Sequence, residues 1–178
     1  YQSYQKPKNE NAKKISHIEW LKSLNMKCTI EKINIENLER CAQMQERINQ
    51  INLKSKRLSI NNLKKNLVKK NLDTYVFSLK DKYADLGIVG FATIKKQNET
   101  ITLDDFLMSC RSFGRNLEQN IFNFFAKKYI KDKIKKINVE LIKSKKNMLC
   151  QEILDKNLTK VGKDRYIIFK KNIKKIPI

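Results

Sequence analysis

Between Leu103 and Glu118 the chain reads LDDFLMSCRSFGRNLE, where an apolar run passes into a turn holding one of only four glycines. Arg111 and Arg115 flank that glycine, and an amphipathic stretch begins at Leu117. A strand, a glycine turn and a helix start in that order can bind an anion. The first N–H groups of a helix have no partner within it and carry the positive end of its dipole. Glycine lets backbone approach a ligand closely, and arginine adds charge-assisted bonds to phosphate. Arg111, Ser112, Phe113, Gly114, Arg115 and Asn116 are therefore the candidate anion-binding residues.

Proton-transfer candidates lie close by. Asp104 and Asp105 share one strand, whose neighbours point to opposite faces, so only one of them is expected to face a given cleft. Glu118 stands in the first helical turn, where it can stabilise the helix N-terminus or pair with Arg115 or Arg111. Tyr166, on the last strand, is a phenolic donor or a core aromatic. A thiolate at Cys110 would gain from a helix N-terminus. With His17 the single histidine, on a separate N-terminal segment, a packing role is expected for Cys110, as for Cys28. The amides of Asn49, Gln50 and Asn52 can order a loop or grip a polar substrate.

Bulk composition narrows the partners. The net charge is +21, carried by 33 lysines and six arginines against 18 acidic residues. An acidic partner or phosphorylated cofactor suits it. The lysines run along the whole length without arginine clusters, so nucleic acid ranks below those partners. Lysine, asparagine and isoleucine enrichment also fits plain compositional bias on a solvated surface. The four cysteines form no CxxC pair, which with one histidine argues against a metal site. No apolar run approaches the roughly 18 residues of a membrane-spanning helix. A cytoplasmic location is expected, and the opening Tyr1 suggests a piece of a longer protein.

The elements that must position these residues follow from periodicity. Residues 1–14 read as a linker or arm, followed by a short helix over ISHIEWLKSLN with Ser16 as cap and His17 at the surface. KCTIEKIN is a strand. Leu38, Cys41, Met44, Ile48 and Ile51 then repeat at helical steps behind Asn34 or Asn37, and Leu63 and Leu67 mark a second helix. Three strands follow, the last two joined through Lys96, Gln97 and Asn98. The helix after the turn, from about Asn116 to Tyr129, should bury Leu117, Ile121, Phe124 and Phe125. KINVELI, NMLCQEILDKN and DRYIIFKK complete the order as strand, helix and strand. Antiparallel strands followed by strand–helix–strand imply an α/β sandwich around one mixed sheet, with residues 1–25 as linker and short helix and 26–178 as the domain.

This order, with its turn, resembles the GNAT superfamily of acyltransferases, and implies a three-layer sandwich with helices on both faces of the sheet. In that superfamily the strand before the turn holds the pantetheine arm of acyl-coenzyme A, and a Q/R-x-x-G-x-G/A turn wraps its pyrophosphate. Here Asn116 stands where the pattern has Gly or Ala. Two longer stretches, RINQINLKSKR (Arg47 to Arg57) and LDDFLMSCRSFGRNLE, are similar to the C-terminal domain of FkbH-like proteins, over about Trp20 to Phe169. The first carries Asn49, Gln50, Asn52, Leu53 and Arg57. The second carries Asp104, Phe106, Leu107, Met108, Ser109, Cys110, Arg111, Gly114, Arg115 and Glu118.

The resemblance implies acetyl-coenzyme A, coenzyme A or a carrier-protein phosphopantetheine as cofactor. Leu107, Met108, Cys110, the turn and Asn147 would contact it, and Asn49, Gln50, Asn52 and Arg57 would contact substrate. It makes Asp104 the preferred base. The implied partners are an acyl carrier protein and an N-terminal haloacid-dehalogenase domain. The D-x-D-x-T nucleophile motif of that domain is absent from the sequence, so its phosphate chemistry is not expected of this chain. The superfamily's thiolate-protonating tyrosine falls at Leu154, which has no proton to give, leaving Tyr166 as the nearest substitute. Acyl transfer and a non-catalytic carrier-docking role both remain open.

Overall fold

A computed structural model describes residues 16–170. The proposed arm at 1–14 lies outside them. The chain runs α1 (His17–Ser23), β1 (Lys27–Lys32), α2 (Leu38–Arg47), α3 (Ile60–Leu67), β2 (Leu72–Lys80), β3 (Asp85–Gln97) and β4 (Thr100–Met108). It continues with α4 (Leu117–Tyr129), β5 (Lys136–Glu140), α5 (Met148–Asn157), β6 (Thr159–Lys160) and β7 (Arg165–Phe169). The seven strands form one sheet in the order β1-β2-β3-β4-β5-β7-β6, antiparallel throughout except for the β4–β5 pair.

Two apolar clusters make three layers. On one face α2 and α3 bring Leu38, Cys41, Met44 and Leu63 against Val76, Phe91 and Leu107. On the other, α4 and α5 bring Leu117, Ile121, Phe122, Phe125, Ile153 and Leu154 against Phe77, Ile94, Phe106 and Tyr166. Burial of each such side chain stabilises the fold by roughly 1.5–3 kcal/mol. Because β3 is covered on both faces, its centre is a continuous apolar run rather than an alternating one. At Gly90 a Cβ would lie 2.6 Å from the Leu107 carbonyl oxygen, so only glycine lets β3 and β4 approach there.

Several local expectations need correction. The β3–β4 turn is Asn98–Glu99, one residue later than Gln97, which pairs with Thr100. Asn98 takes a φ of 51°, a conformation asparagine tolerates. Phe122 replaces Phe124 as the buried partner in α4, and Leu67 is only half-buried. Ile51 lies beyond the end of α2. Ser16 caps α1 as expected, with its side chain and that of Glu19 each accepting from the other's backbone N–H. Cys110 is exposed and Cys28 half-buried, so neither is a fully packed core residue.

Candidate functional site

β4 leaves the sheet at Met108. Ser109 donates its N–H to the Val89 carbonyl at 2.7 Å and caps a single 3-10 turn, Cys110–Ser112. Ser112 is fully buried and bonds back to the Ser109 carbonyl at 2.8 Å. The chain then reverses through Gly114, at φ 77°, and Asn116, at φ 55°. Asn116 stands at the N-cap of the 13-residue α4, in the left-handed region, without a side-chain cap bond. That conformation accounts for the departure from Gly or Ala: asparagine is among the few side-chain-bearing residues that accept it.

The turn faces outward. Arg111 and Phe113 are exposed, and a Cβ built on Gly114 meets nothing within 4 Å. Among the described residues no hydrogen bond reaches the N–H of Gly114, Arg115 or Asn116. Free backbone donors, the positive end of a helix dipole and an exposed arginine are the groups a phosphate site requires. His17 touches the turn as well, donating from Nε2 to the Gly114 carbonyl at 3.1 Å, a contact the sequence did not suggest.

Arg115 does not belong to that surface. Its guanidinium is buried in an ion pair with Asp81, whose other oxygen accepts from the N–H groups of Tyr83 and Ala84 at 2.8 and 2.9 Å. The Arg115 bond holds the Asp81 carboxyl below the usual carboxylate range. Arg115 therefore ties the turn to the β2–β3 connection. Glu118 is buried, pairs with neither arginine among the described bonds, and leaves Oε2 without a partner. Burial pushes its carboxyl up.

The two aspartates break the alternation expected of a strand. Thr93 pairs with Asp105 and Ile94 with Leu103, so Asp104 is an extra residue, a β-bulge. Both aspartates consequently line one pocket of about 640 Å³ beneath α3, together with Lys54, Lys69, Thr93 and Lys95. Asp105 is the more constrained. Its carboxylate accepts from Gln45 Nε2 and from the Phe106 N–H, each at 2.9 Å. Burial, reinforced by the charge of Asp104, pushes its carboxyl up to about 6 against those two bonds.

Tyr166 and Asp104 do not meet. Tyr166 is buried in the α4–α5 layer and donates its hydroxyl to Asp155 at 2.9 Å, whereas Asp104 opens on the α2–α3 face. Burial, then the Asp155 bond, pushes the phenol pKa up. Leu154 is fully buried in the same layer.

The remaining candidates surround an opening beside β4. β4 and β5 pair only over Ile101–Leu103 and Ile137–Val139, and beyond that point they separate. The gap is filled by the chain itself. The Leu53 N–H donates to the Phe106 carbonyl at 2.9 Å, and the Met108 N–H donates to the Ile51 carbonyl at 3.0 Å. Asn52 forms an antiparallel bridge with Leu107. On the far side Leu53 and Gln50 accept from the N–H groups of Ile142 and Cys150, at 2.9 and 3.0 Å.

Asn147, fully buried, locks this inserted segment. Its amide donates to the carbonyls of Asn52 and Ile142, both at 2.9 Å, and its oxygen accepts from the Ser144 N–H at 2.7 Å. The Asn52 oxygen accepts from Lys54 and Ser55 N–H, shaping the exit turn. Asn52 and Asn147 thus bond to the protein itself, while Asn49, Gln50 and Arg57 are exposed. Leu107 and Met108 are fully buried, with the edge of β4 engaged by Ile51–Leu53. The apolar–polar–apolar triplet Ile51-Asn52-Leu53 was the signal for this extra strand-like piece. It was masked by the helical spacing of Ile48 and Ile51.

No protein-family model and no curated protein sequence matches the chain. Solved structures do. The spermidine N-acetyltransferase of Vibrio cholerae, solved with coenzyme A and spermine, superposes with a TM-score of 0.60 at 10% identity, over 82% of this chain and 97% of that one. The chain has the GNAT fold. An aminoglycoside acetyltransferase solved with coenzyme A gives 0.58 at 11% identity, over 82% and 96%. The ribosomal-protein-S18-alanine N-acetyltransferase of Escherichia coli gives 0.51 at 13% identity, over 79% and 90%. At these identities the likeness is one of fold. Among the described residues no helix is long and apolar enough to cross a membrane, and no three His, Cys, Asp or Glu side chains are grouped as metal ligands.

Proposed function

We propose that this chain is a GNAT-fold domain of acyltransferase type, which engages a pantetheine-bearing ligand through that ligand's phosphate. The ligand is coenzyme A or its acyl thioester, or the phosphopantetheine of an acyl carrier protein. The observation that carries this reading is the outward turn from Arg111 to Asn116, with open N–H groups at the start of α4. Fold neighbours solved with coenzyme A support it. The FkbH-like stretches extend it to the C-terminal part of a longer protein with a haloacid-dehalogenase domain, acting in the cytoplasm.

A second reading has an observation of its own. In it the domain docks an acidic carrier protein for that missing domain and transfers nothing itself. The filled opening beside β4 favours it, as does Leu154 in place of an acid. Titration with coenzyme A, acetyl-coenzyme A, and apo and holo carrier protein separates the readings. Saturable binding of coenzyme A with thiol release from its acetyl ester supports transfer, and tighter binding of holo carrier without release supports docking. Absence of binding by all four at millimolar concentration would sink both.

A further inference from the structure

We infer that Ile51–Leu53 permanently takes the place of a pantetheine arm along β4, so that a ligand held at the Arg111–Asn116 turn keeps its arm outside the sheet. The inference rests on the phosphate reading of the turn for the ligand, and on the chain's own geometry for the arm. A pantetheine arm that runs along the edge of β4 needs the backbone groups which face the β4–β5 gap. Those groups include the Phe106 carbonyl and the Met108 N–H, whereas the next N–H along, Ser109, turns the opposite way to Val89 on β3. Leu53 and Ile51 take both.

The insert is not a loosely held flap. Its outer edge is bonded in turn to Ile142 and Cys150, so it is a strand-like piece with partners on both sides. Asn147 closes over it from the start of α5, its amide nitrogen also 3.0 Å from Ser55 Oγ. The side chains of Ile51 and Leu53 are fully buried in the α4–α5 core. Withdrawing the segment would expose both of them and leave buried peptide groups on β4 without partners, which is costly unless they are replaced. An arm could restore the hydrogen bonds to those peptide groups. It carries no counterpart to the isoleucine and leucine side chains, and so it does not displace the segment.

This separates the domain from an enzyme that threads a thioester through its sheet. The phosphate end of the ligand is recognised at the turn, and the thioester end remains available to another protein.

The test compares coenzyme A with adenosine 3′-phosphate 5′-diphosphate, which has all of its phosphates without the arm, and follows amide hydrogen exchange in the free and liganded protein. The expected result is affinities equal within about threefold, because an arm without a place contributes almost nothing. The Leu53 and Met108 amides should exchange only with global unfolding, in both states. Coenzyme A binding more than about tenfold tighter than the arm-less nucleotide would overturn the inference. So would exchange of those two amides by local opening, which can be read in the free protein. If neither compound binds but both amides stay protected, the filled opening stands and the phosphate reading of the turn fails.

Discussion

Asn147 donates its side-chain amide to the main-chain carbonyl of Asn52, 95 residues away, at 2.9 Å. The same amide group reaches Ser55 Oγ and the Ile142 carbonyl, so one buried side chain joins the start of α5, the end of β5 and the inserted segment. Alanine there would leave the buried Asn52 carbonyl without this donor and remove the bonds to the Ile142 carbonyl, Ser55 Oγ and the Ser144 N–H. Asn147→Ala should cost about 2–4 kcal/mol, since each orphaned buried group costs roughly 1–3 kcal/mol and relaxation recovers part. Urea unfolding measures it. A loss below about 0.5 kcal/mol would mean that the segment is held by its backbone hydrogen bonds and apolar side chains without help from Asn147.

Asp105 gives a pH signature. Its carboxyl is raised to about 6 in the folded protein, against about 3.9 in an unfolded chain. A raised acid favours folding most below its unfolded pKa, and that contribution is lost as pH rises through the folded value. Asp105→Asn should therefore be more stable than the parent by about 2–3 kcal/mol at pH 8, with the advantage vanishing near pH 4. Thermal unfolding at the two pH values checks this. An equal difference at both would show that Asp105 does not titrate across that range.

How far these features could be read from the sequence depended on the distance over which they are decided. The strand–turn–helix at 103–118 was legible because every residue in it contributes locally: an apolar strand, a glycine at positive φ, an amphipathic helix. The order of helices and strands followed from periodicity in the same way, apart from the two-residue β6, which it did not show. The bulge at Asp104 was not legible. Period two assigns two adjacent aspartates to opposite faces, and only the pairing with β3 shows that one of them is extra. The partner of Arg115 was hidden because Asp81 lies 34 residues away, across a loop whose placement the sequence does not disclose. The amides of Asn52 and Asn147 carry the same lesson: polar residue types announce hydrogen bonds, not whether ligand or backbone receives them.

With Leu154 at the position where the GNAT resemblance implies an acid, this domain is predicted to be a poor acetyltransferase on its own. A positioned acid for the departing thiolate contributes roughly 10²–10⁴-fold in rate. The nearest phenol by sequence, Tyr166, already donates its hydroxyl to Asp155. Free-thiol release from acetyl-coenzyme A, assayed across a panel of simple amines, should stay close to the uncatalysed background. Turnover of several per second, as enzymes of ordinary rate show, and lost in Tyr166→Phe, would prove the opposite.

Calorimetric titration of coenzyme A into the parent protein and into Arg111→Ala tests the central claim, that the turn before α4 is a phosphate site. Arg111 is exposed and its only described side-chain bond is a long one to Ser109 Oγ, at 3.4 Å, so the variant should fold as the parent does. The account predicts saturable binding to the parent, weakened about tenfold or more in Arg111→Ala through loss of roughly 1.5–3 kcal/mol of charge-assisted hydrogen bonding. Binding of equal strength to both proteins would place the ligand elsewhere and contradict the account.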